Sequence, residues 1–233
     1  MKKVGVLIFV VALIVGLVVS SIFSFGRIGG RIFNFSMNLG GVRGSGNLAM
    51  EKRSVTGFKA VDVGGVFQVE IVAQKDFGVE VEADDNLLPL IRTEVDGGTL
   101  RIEADKHLST RNPIRIRISA PDIEKLEVSG AANVTLSNLK NTKLSVEGSG
   151  ASRTKISGET AKLDIDVSGG SKIDADELKS ATAVIDASGA SLVTVNVSDD
   201  LTSDASGASK IFYAGNPKNV SSNNSGASSI SPK

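Results

Sequence analysis

One short motif recurs at a nearly constant spacing through the C-terminal half of the sequence. A Ser-Gly bend followed by two small residues occurs six times, with its glycines at Gly130, Gly150, Gly169, Gly189, Gly207 and Gly226. Successive glycines are 20, 19, 20, 18 and 19 residues apart. A fixed period of this size is typical of solenoids, whose units bury their apolar faces only by stacking on neighbouring units. The motif therefore predicts a stacked repeat architecture.

Residues at a fixed distance from each motif glycine share one chemical character. Four positions after the glycine the residues are mostly apolar: Val134, Thr154, Ile173, Val193, Ile211 and Ile230. Apolar residues with a period of two flank the bend, so each unit has the pattern strand, tight bend, strand and polar connection. Stacked strands lie about 4.8 Å apart, which explains small residues at the bends without a ligand. We predict an all-β, single-stranded solenoid of about six rungs of ~20 residues over 122–233, with the six glycines as structural turns. A flat meander of hairpins is the alternative.

The apolar columns fade at the end of the repeats. The last unit places Ser222 and Asn224 at positions that are apolar in most earlier units. The end of a solenoid exposes an unpaired strand edge, which invites association unless something blocks it. We expect the segment before the repeats to cap one end, and the polar unit with Pro232 to close the other.

Residues 48–121 follow a different pattern. The runs 66–71, 79–82 and 114–118 alternate apolar and polar residues, as half-buried strands do. Asp96-Gly97-Gly98 favours a hairpin turn. We therefore predict an antiparallel β module over 48–121 that caps the repeats.

The N-terminus carries a long uncharged run at residues 4–25, directly after Lys2 and Lys3. As a helix it would span about 33 Å, enough for the roughly 30 Å hydrocarbon core of a bilayer. We expect a transmembrane signal anchor at 1–25 that contacts the membrane through residues 4–25, followed by a Gly-rich linker at 26–47. A signal peptide cleaved after Ser20 and a buried core element are the alternatives. Lys2 and Lys3 favour an inside N-terminus, which would put the β-rich part on the extracytoplasmic side.

Composition argues against several kinds of site. The 26 basic and 26 acidic residues balance, and no basic run carries interleaved aromatics, so we expect no nucleic-acid partner. Cysteine is absent, which excludes disulfides and thiolate metal sites. His107 is the single histidine and lies in a polar turn, so neither a His-based triad nor a multi-His metal site is supported. We predict no enzyme activity and no cofactor.

One acidic group could in principle bind a cation. Asp174, Asp176 and Glu177 are weak candidates for a Ca²⁺ site between rungs, with Asp164 and Asp166 one rung earlier. The repeat lacks the Gly-rich pattern of calcium-binding β-rolls, and lysines are available to neutralise these carboxylates. We therefore expect a solvated charged face and no metal.

Several stretches, together with the Ser-Gly-Ala-Ser repeats, resemble a known family. They are Gly44-Ser45-Gly46-Asn47, the run Val55-Thr56-Gly57-Phe58-Lys59-Ala60-Val61-Asp62-Val63, the run Val81-Glu82-Ala83-Asp84-Asp85-Asn86-Leu87-Leu88-Pro89, and Asp96-Gly97-Gly98-Thr99-Leu100. Over residues 44–230 the chain is similar to the family called putative auto-transporter adhesin, head GIN domain. The resemblance implies a bacterial envelope domain folded as a right-handed β-helix-like coil behind a β-rich N-terminal part. It implies no catalytic residues.

The expected function follows from the anchor, the repetitive surface and the absence of a catalytic motif. We expect a non-enzymatic, membrane-anchored domain of the bacterial cell envelope that is adhesin-like or acts as a scaffold for an envelope protein or glycan. A self-associating scaffold that polymerises through the ends of the β-helix is the alternative. A carbohydrate-active β-helix enzyme is a third hypothesis.

Overall fold

The computed structural model describes residues 41–233. The predicted anchor at 4–25, the cleavage position at Ser20 and residues 26–40 of the predicted linker lie outside this range. Within residues 41–233, no helix is long and apolar enough to cross a membrane. Apart from one 3-10 turn at Leu88–Leu90, the regular elements of this part are strands. They are β1 (Val42–Arg43), β2 (Leu48–Arg53), β3 (Ala60–Gly65), β4 (Gln68–Ala73), β5 (Gly78–Asp84), β6 (Ile91–Asp96), β7 (Thr99–Ala104), β8 (Leu108–Ser109), β9 (Arg115–Ala120), β10 (Lys125–Gly130), β11 (Asn133–Gly148), β12 (Arg153–Val167), β13 (Lys172–Ala187), β14 (Leu192–Ala205), β15 (Lys210–Ala214), β16 (Asn219–Asn224) and β17 (Ser229–Pro232).

From β10 onward the chain forms one parallel coil. Each strand pairs in parallel with the strand one turn earlier, and the register keeps equivalent repeat positions together. One such column contains Leu126, Val146, Ile165, Ile185, Ser203 and Ser222. The prediction of an all-β solenoid is confirmed, and the hairpin meander is wrong. These six stacked positions enclose about five full turns, one fewer than the number of rungs predicted.

The core runs along the inside of the coil, because long strands bend around it. Strands β11 to β14 are 14 to 16 residues long, and register shifts interrupt their pairing where they turn. Asn138 and Gly158 have positive φ at these bends. Leu144, Leu163 and Leu201 are fully or almost fully buried and lie in one column of the core. The stacked turns thus supply the burial that no single turn could achieve alone.

The segment 48–121 is only partly antiparallel, so this part of the prediction is wrong. Strand β3 pairs in parallel with β10 and β7, and β4 pairs in parallel with β11 and β9. Antiparallel pairing is confined to β2 with β5, β5 with β9, and β6 with β7. The predicted Asp96-Gly97-Gly98 hairpin joins β6 to β7. A period of two reports a half-buried strand, but it does not report the direction of the neighbouring strand.

The first turns of the coil are built out of sequence order. Strands β3 and β4 form one turn, and the chain then passes through β5 and β6 to β7 and β9, which form the turn beneath it. Only afterwards does β10 add the next turn above β3. Residues 41–47 of the predicted linker also belong to the fold, since β1 pairs with β8 in the lowest turn. The coil therefore has one end covered by β2, β5 and β6, and another formed by β16 and β17.

Candidate functional site

The motif glycines form one column at a corner of the coil. Their φ values lie between 71° and 74°, in the left-handed region that costs other residues roughly 1–2 kcal/mol. A Cβ added to Gly150 or Gly189 would lie 2.6 Å from the carbonyl oxygen of the glycine one turn below. Gly65 lies beneath Gly130 in the same column, so the corner begins one turn before the first recognisable motif. Only glycine satisfies both the conformation and the close approach.

The last serine of the motif points into the coil. Ser152, Ser171, Ser191 and Ser209 are at most 2% exposed. Ser191 Oγ donates to the Ser188 carbonyl at 3.0 Å, and Ser209 Oγ donates to the Ser206 carbonyl at 2.8 Å. These hydroxyls satisfy carbonyl groups at the corner, as buried polar groups require. They are not available to a partner outside the coil.

A row of carboxylates runs along the outside of the coil, three positions before each corner glycine. We call this row the acidic face; at one register position on β3 and on β10 to β14 it contains Asp62, Glu127, Glu147, Asp166, Asp186 and Asp204. Equivalent side chains on stacked strands are about 4.8 Å apart, so the row is a ladder of like charges. The first serine of each motif lies beside it.

Two shallow grooves follow the acidic face. One of about 310 Å³ contains Asp62, Glu127, Glu147 and the motif serines beside them. The other, of about 220 Å³, contains Asp166, Asp186, Asp204 and Asn223, with the serines of three corners. Carboxylate and hydroxyl oxygens therefore line both grooves. Such a surface can accept hydrogen bonds from ammonium, guanidinium or sugar hydroxyl groups.

The two halves of the acidic face differ in their ion pairing. Arg101 Nε lies 3.2 Å from Asp62, and Lys125 Nζ lies 3.0 Å from Glu147 and also contacts Glu127. Among the described residues, no cation lies within 4.0 Å of Asp166, Asp186 or Asp204; Asn223 Nδ2 donates to Asp204 at 2.9 Å. The half nearer to β16 therefore carries the unneutralised negative charge.

Basic residues occupy the other side of the corner. Arg153, Lys172 and Lys210 follow the corner glycine by three positions, and Leu192 interrupts their column. In the part of the chain that the structure covers, these three cations have no carboxylate within 4.0 Å. The corner thus separates an acidic surface from a basic one.

The carboxylates predicted as weak metal candidates lie elsewhere on the coil and are partly neutralised. Lys155 Nζ donates to Glu177 at 2.7 Å, and Lys233 Nζ donates to Asp176 at 2.5 Å. Asp174 accepts from the backbone N–H of Asp176 at 3.4 Å. Across residues 41–233, no group of three His, Cys, Asp or Glu side chains is arranged to hold a metal ion. His107 is exposed in the loop before β8, and its carbonyl accepts from Val42 N–H at 2.8 Å.

A second polar cluster surrounds Asp84, which is only 2% exposed. Its carboxylate accepts hydrogen bonds from Thr110 Oγ1 and from Asn112 Nδ2, both at 2.7 Å. These two hydrogen bonds hold the pKa of Asp84 below its usual value, and the one from Asn112 has the larger effect. A Cβ on Gly44 would overlap Asp84 Oδ2, so a glycine is needed where the backbone passes this close to the carboxylate.

The cluster ties three distant segments together. Ser45 N–H donates to Asn86 Oδ1 at 2.9 Å, and Asn86 Nδ2 donates to the Arg43 carbonyl at 2.8 Å. Sequence reasoning did not single out Asp84, because its partners are 26 and 28 residues away. The Gly44–Asn47 and Asp84–Asn86 segments, noted above only for their family resemblance, therefore have a structural role. They fasten the first residues of the fold to its lowest turn.

Comparison with known proteins identifies the family. The family profile described as "Putative auto-transporter adhesin, head GIN domain" matches residues 57–217. No curated protein matches the chain in sequence.

Solved structures show the same fold at low sequence identity. The crystal structure of a putative adhesin from Bacteroides fragilis NCTC 9343 is 21% identical, with a TM-score of 0.69, and the match covers 83% of this chain and 100% of that one. A putative lipid binding protein from Parabacteroides distasonis ATCC 8503 is 18% identical, with a TM-score of 0.53, and the match covers 82% of this chain and 99% of that one. Since the family profile covers well over half of its residues, this chain belongs to the family described as "Putative auto-transporter adhesin, head GIN domain".

Proposed function

We propose that this chain is a non-enzymatic, membrane-anchored domain of the bacterial cell envelope that binds an envelope protein or glycan through its acidic face. The observation that carries the proposal is the unneutralised part of that face, formed by Asp166, Asp186 and Asp204 on three successive turns. The family description, which names an adhesin head, supports a binding role.

The chemistry of the face indicates what it would bind. Its carboxylates accept hydrogen bonds and attract cations, and the motif serines beside them add hydroxyl groups. The backbone beneath is a hydrogen-bonded ladder, so few groups would have to be ordered on binding. A protein segment rich in lysine or arginine, or a glycan that carries amino groups, would complement it best.

The proposed location depends on the N-terminal segment. The uncharged run at 4–25 supports a signal anchor, and Lys2 and Lys3 support an inside N-terminus. The solenoid would then lie on the extracytoplasmic side. Protease added to spheroplasts that express the full chain should digest residues 41–233, and protection of this part would contradict the proposed orientation.

The binding role can be tested with two matched sets of substitutions. A photo-reactive amino acid at Ser188, beside the acidic face, should crosslink the full chain to an envelope component in intact cells. The triple substitution Asp166→Asn, Asp186→Asn and Asp204→Asn should abolish that crosslink. The control, Arg153→Gln, Lys172→Gln and Lys210→Gln, removes three charges from the other side of the corner and should leave it intact.

Three outcomes would change the interpretation. If both triple variants crosslink as the unmodified chain does, the acidic face is not the binding surface. If the purified chain releases sugars from isolated cell-wall glycan, and the Asp166, Asp186 and Asp204 substitutions stop the release, the chain is a carbohydrate-active enzyme. A crosslink to lipid instead of protein or glycan would point to the activity named for the Parabacteroides distasonis structure.

A further inference from the structure

The free edges of the sheet differ in how they are protected. Within residues 41–233, four strands of four or more residues pair on one side only: β2, β6, β16 and β17. An unpaired strand presents a row of free N–H and C=O groups to any second strand, and proteins usually block such edges with charges or proline.

Three of these edges carry a recognisable block. Strand β6 has charged side chains at Arg92, Glu94 and Asp96, and β2 has them at its last three residues. Strand β17 contains Pro232, and the adjoining Lys233 is bound to Asp176 through an ion pair at 2.5 Å. These features disfavour the addition of another strand at these positions.

Strand β16 carries no such block within its own six residues; Pro217 and Lys218 precede it, and Lys218 Nζ is bound to Asp199 at 2.6 Å. Its sequence, Asn-Val-Ser-Ser-Asn-Asn, contains neither a charge nor a proline, and all six residues are exposed. Val220, which continues the buried column of Leu201, is 44% exposed, since no further strand within residues 41–233 pairs beyond β16. The strand therefore combines a free backbone edge with an unburied apolar side chain.

We propose that β16 is a homophilic docking edge, on which the β16 strand of a second copy of this chain pairs in antiparallel orientation. Two identical uncharged strands meet without charge repulsion, and a twofold axis makes the contact self-complementary. Because the opposite end is covered and its free edges are charged, the contact closes after two copies. The result is a dimer, in contrast to the polymer that end-to-end association would produce at two open ends.

In this dimer, the β1 strands with which the two folds begin would lie far apart. Strand β1 lies beside β8 in the lowest turn, and β16 lies in the uppermost turns. Pairing through β16 would therefore put the two first turns at opposite ends of a double-length coil. If both copies are anchored, which rests on the proposed function above, the contact would join two membranes.

Cysteine crosslinking tests the pairing directly, because the chain contains no cysteine. In a twofold antiparallel pair, one residue lies opposite its own copy with a Cα separation of about 4.5–5.5 Å, which is within disulfide range. Val220→Cys, Ser221→Cys, Ser222→Cys and Asn223→Cys should each be placed singly in the full chain and oxidised. One or two neighbouring positions should give a disulfide dimer, whereas Ser149→Cys, exposed at a corner in mid-coil, should give none.

A charge on the edge provides the second test. Ser221→Lys gives β16 the kind of block that β6 has, and should weaken dimerisation in sedimentation by at least about tenfold. Thr135→Lys adds the same charge at an exposed position of β11, outside both grooves of the acidic face, and should leave the dimer unchanged. Vesicles carrying the full chain should cluster, and Ser221→Lys should prevent the clustering.

The possible failures are distinguishable. The absence of a disulfide dimer at all four positions, or equal sedimentation of the unmodified chain and Ser221→Lys, would overturn the β16 contact. A disulfide dimer without vesicle clustering would overturn only the joining of two membranes. The crosslink at Ser188 tests the acidic face in a separate experiment, even though Asn223 of β16 lines the same groove as Asp204.

Discussion

At the scale of single residues, the corner glycines show two constraints acting together. Gly189 has φ 74°, and a Cβ there would lie 2.6 Å from the Gly169 carbonyl oxygen. Gly97, in the β6–β7 hairpin, has φ 55°, but a Cβ added to it would have no neighbouring atom within 4 Å. Comparing Gly97 with Gly189 therefore separates the cost of a left-handed conformation from the cost of placing a Cβ against the backbone of the neighbouring turn.

We expect Gly97→Ala to lower the free energy of unfolding by about 1–2 kcal/mol, the cost of a left-handed conformation. Gly189→Ala should lower it by about 3 kcal/mol or more, because the stacked backbone must also move. Urea denaturation of both variants measures the difference. Equal losses would show that the approach to Gly169 costs nothing.

The stability that Asp84 contributes to the fold should depend on pH. Its pKa is lower in the folded chain than the ordinary value near 3.8, mainly because Asn112 and Thr110 donate to its carboxylate. A lowered pKa contributes stability that is present above the unfolded value and is lost as the pH falls through the folded value. The contribution should therefore be complete at neutral pH, begin to decline below about pH 4, and disappear only below the lowered pKa of the folded chain.

Asp84→Asn should lower the thermal stability at pH 7, because an amide cannot accept from both donors as the carboxylate does. The difference from the unmodified chain should narrow as the pH is lowered below about 4. Thermal denaturation at several pH values gives the comparison, with the exposed Asp76→Asn as the control. A difference that stays constant with pH would show that the charge of Asp84 is not what stabilises the cluster.

At the scale of the strand, the acidic face costs stability. Asp186 lies between Asp166 and Asp204 in the register of β12, β13 and β14. Like charges directly opposite each other on neighbouring strands are destabilising, by the same few tenths to about 1 kcal/mol that opposite charges contribute. A surface kept at such a cost is consistent with its use in binding.

Asp186→Asn should therefore raise the free energy of unfolding by roughly 0.2–1 kcal/mol. The gain should shrink with added salt, because the charges are exposed and screened. Denaturation at low and high ionic strength measures both effects. A destabilised variant, or a gain that salt does not change, would argue against repulsion along the ladder.

At the scale of the whole molecule, a solenoid is stabilised turn by turn, so equivalent residues should differ with their position along the coil. Leu163 lies in a middle turn and is fully buried, whereas Val220 occupies the equivalent place in the last turn and is 44% exposed. Leu163→Ala should cost about 3 kcal/mol, and Val220→Ala less than about 1 kcal/mol. Urea denaturation at a concentration where the chain is monomeric checks this, and similar costs would contradict a core that weakens toward β16.

The repeats could be predicted from the sequence, whereas the first turns of the coil could not. Gly65 belongs to the same corner column as Gly130, but it is 65 residues earlier and its neighbours are Gly64, Val66 and Phe67. Neither the period nor the composition of the motif marks it. The acidic face could have been found, since its residues precede each motif glycine by three positions, as the apolar columns precede it by two and four.

The sequence by itself determined the strands, the corners and the inward residues of the repeats. These depend on local properties, namely alternation with a period of two and the need for glycine at a positive φ. Only the tertiary structure decided the directions and order of the first strands, the burial of Asp84 and the exposed edge of β16. Each of these depends on which distant segment lies alongside, and a half-buried strand has the same alternation whether its neighbour is parallel, antiparallel or absent.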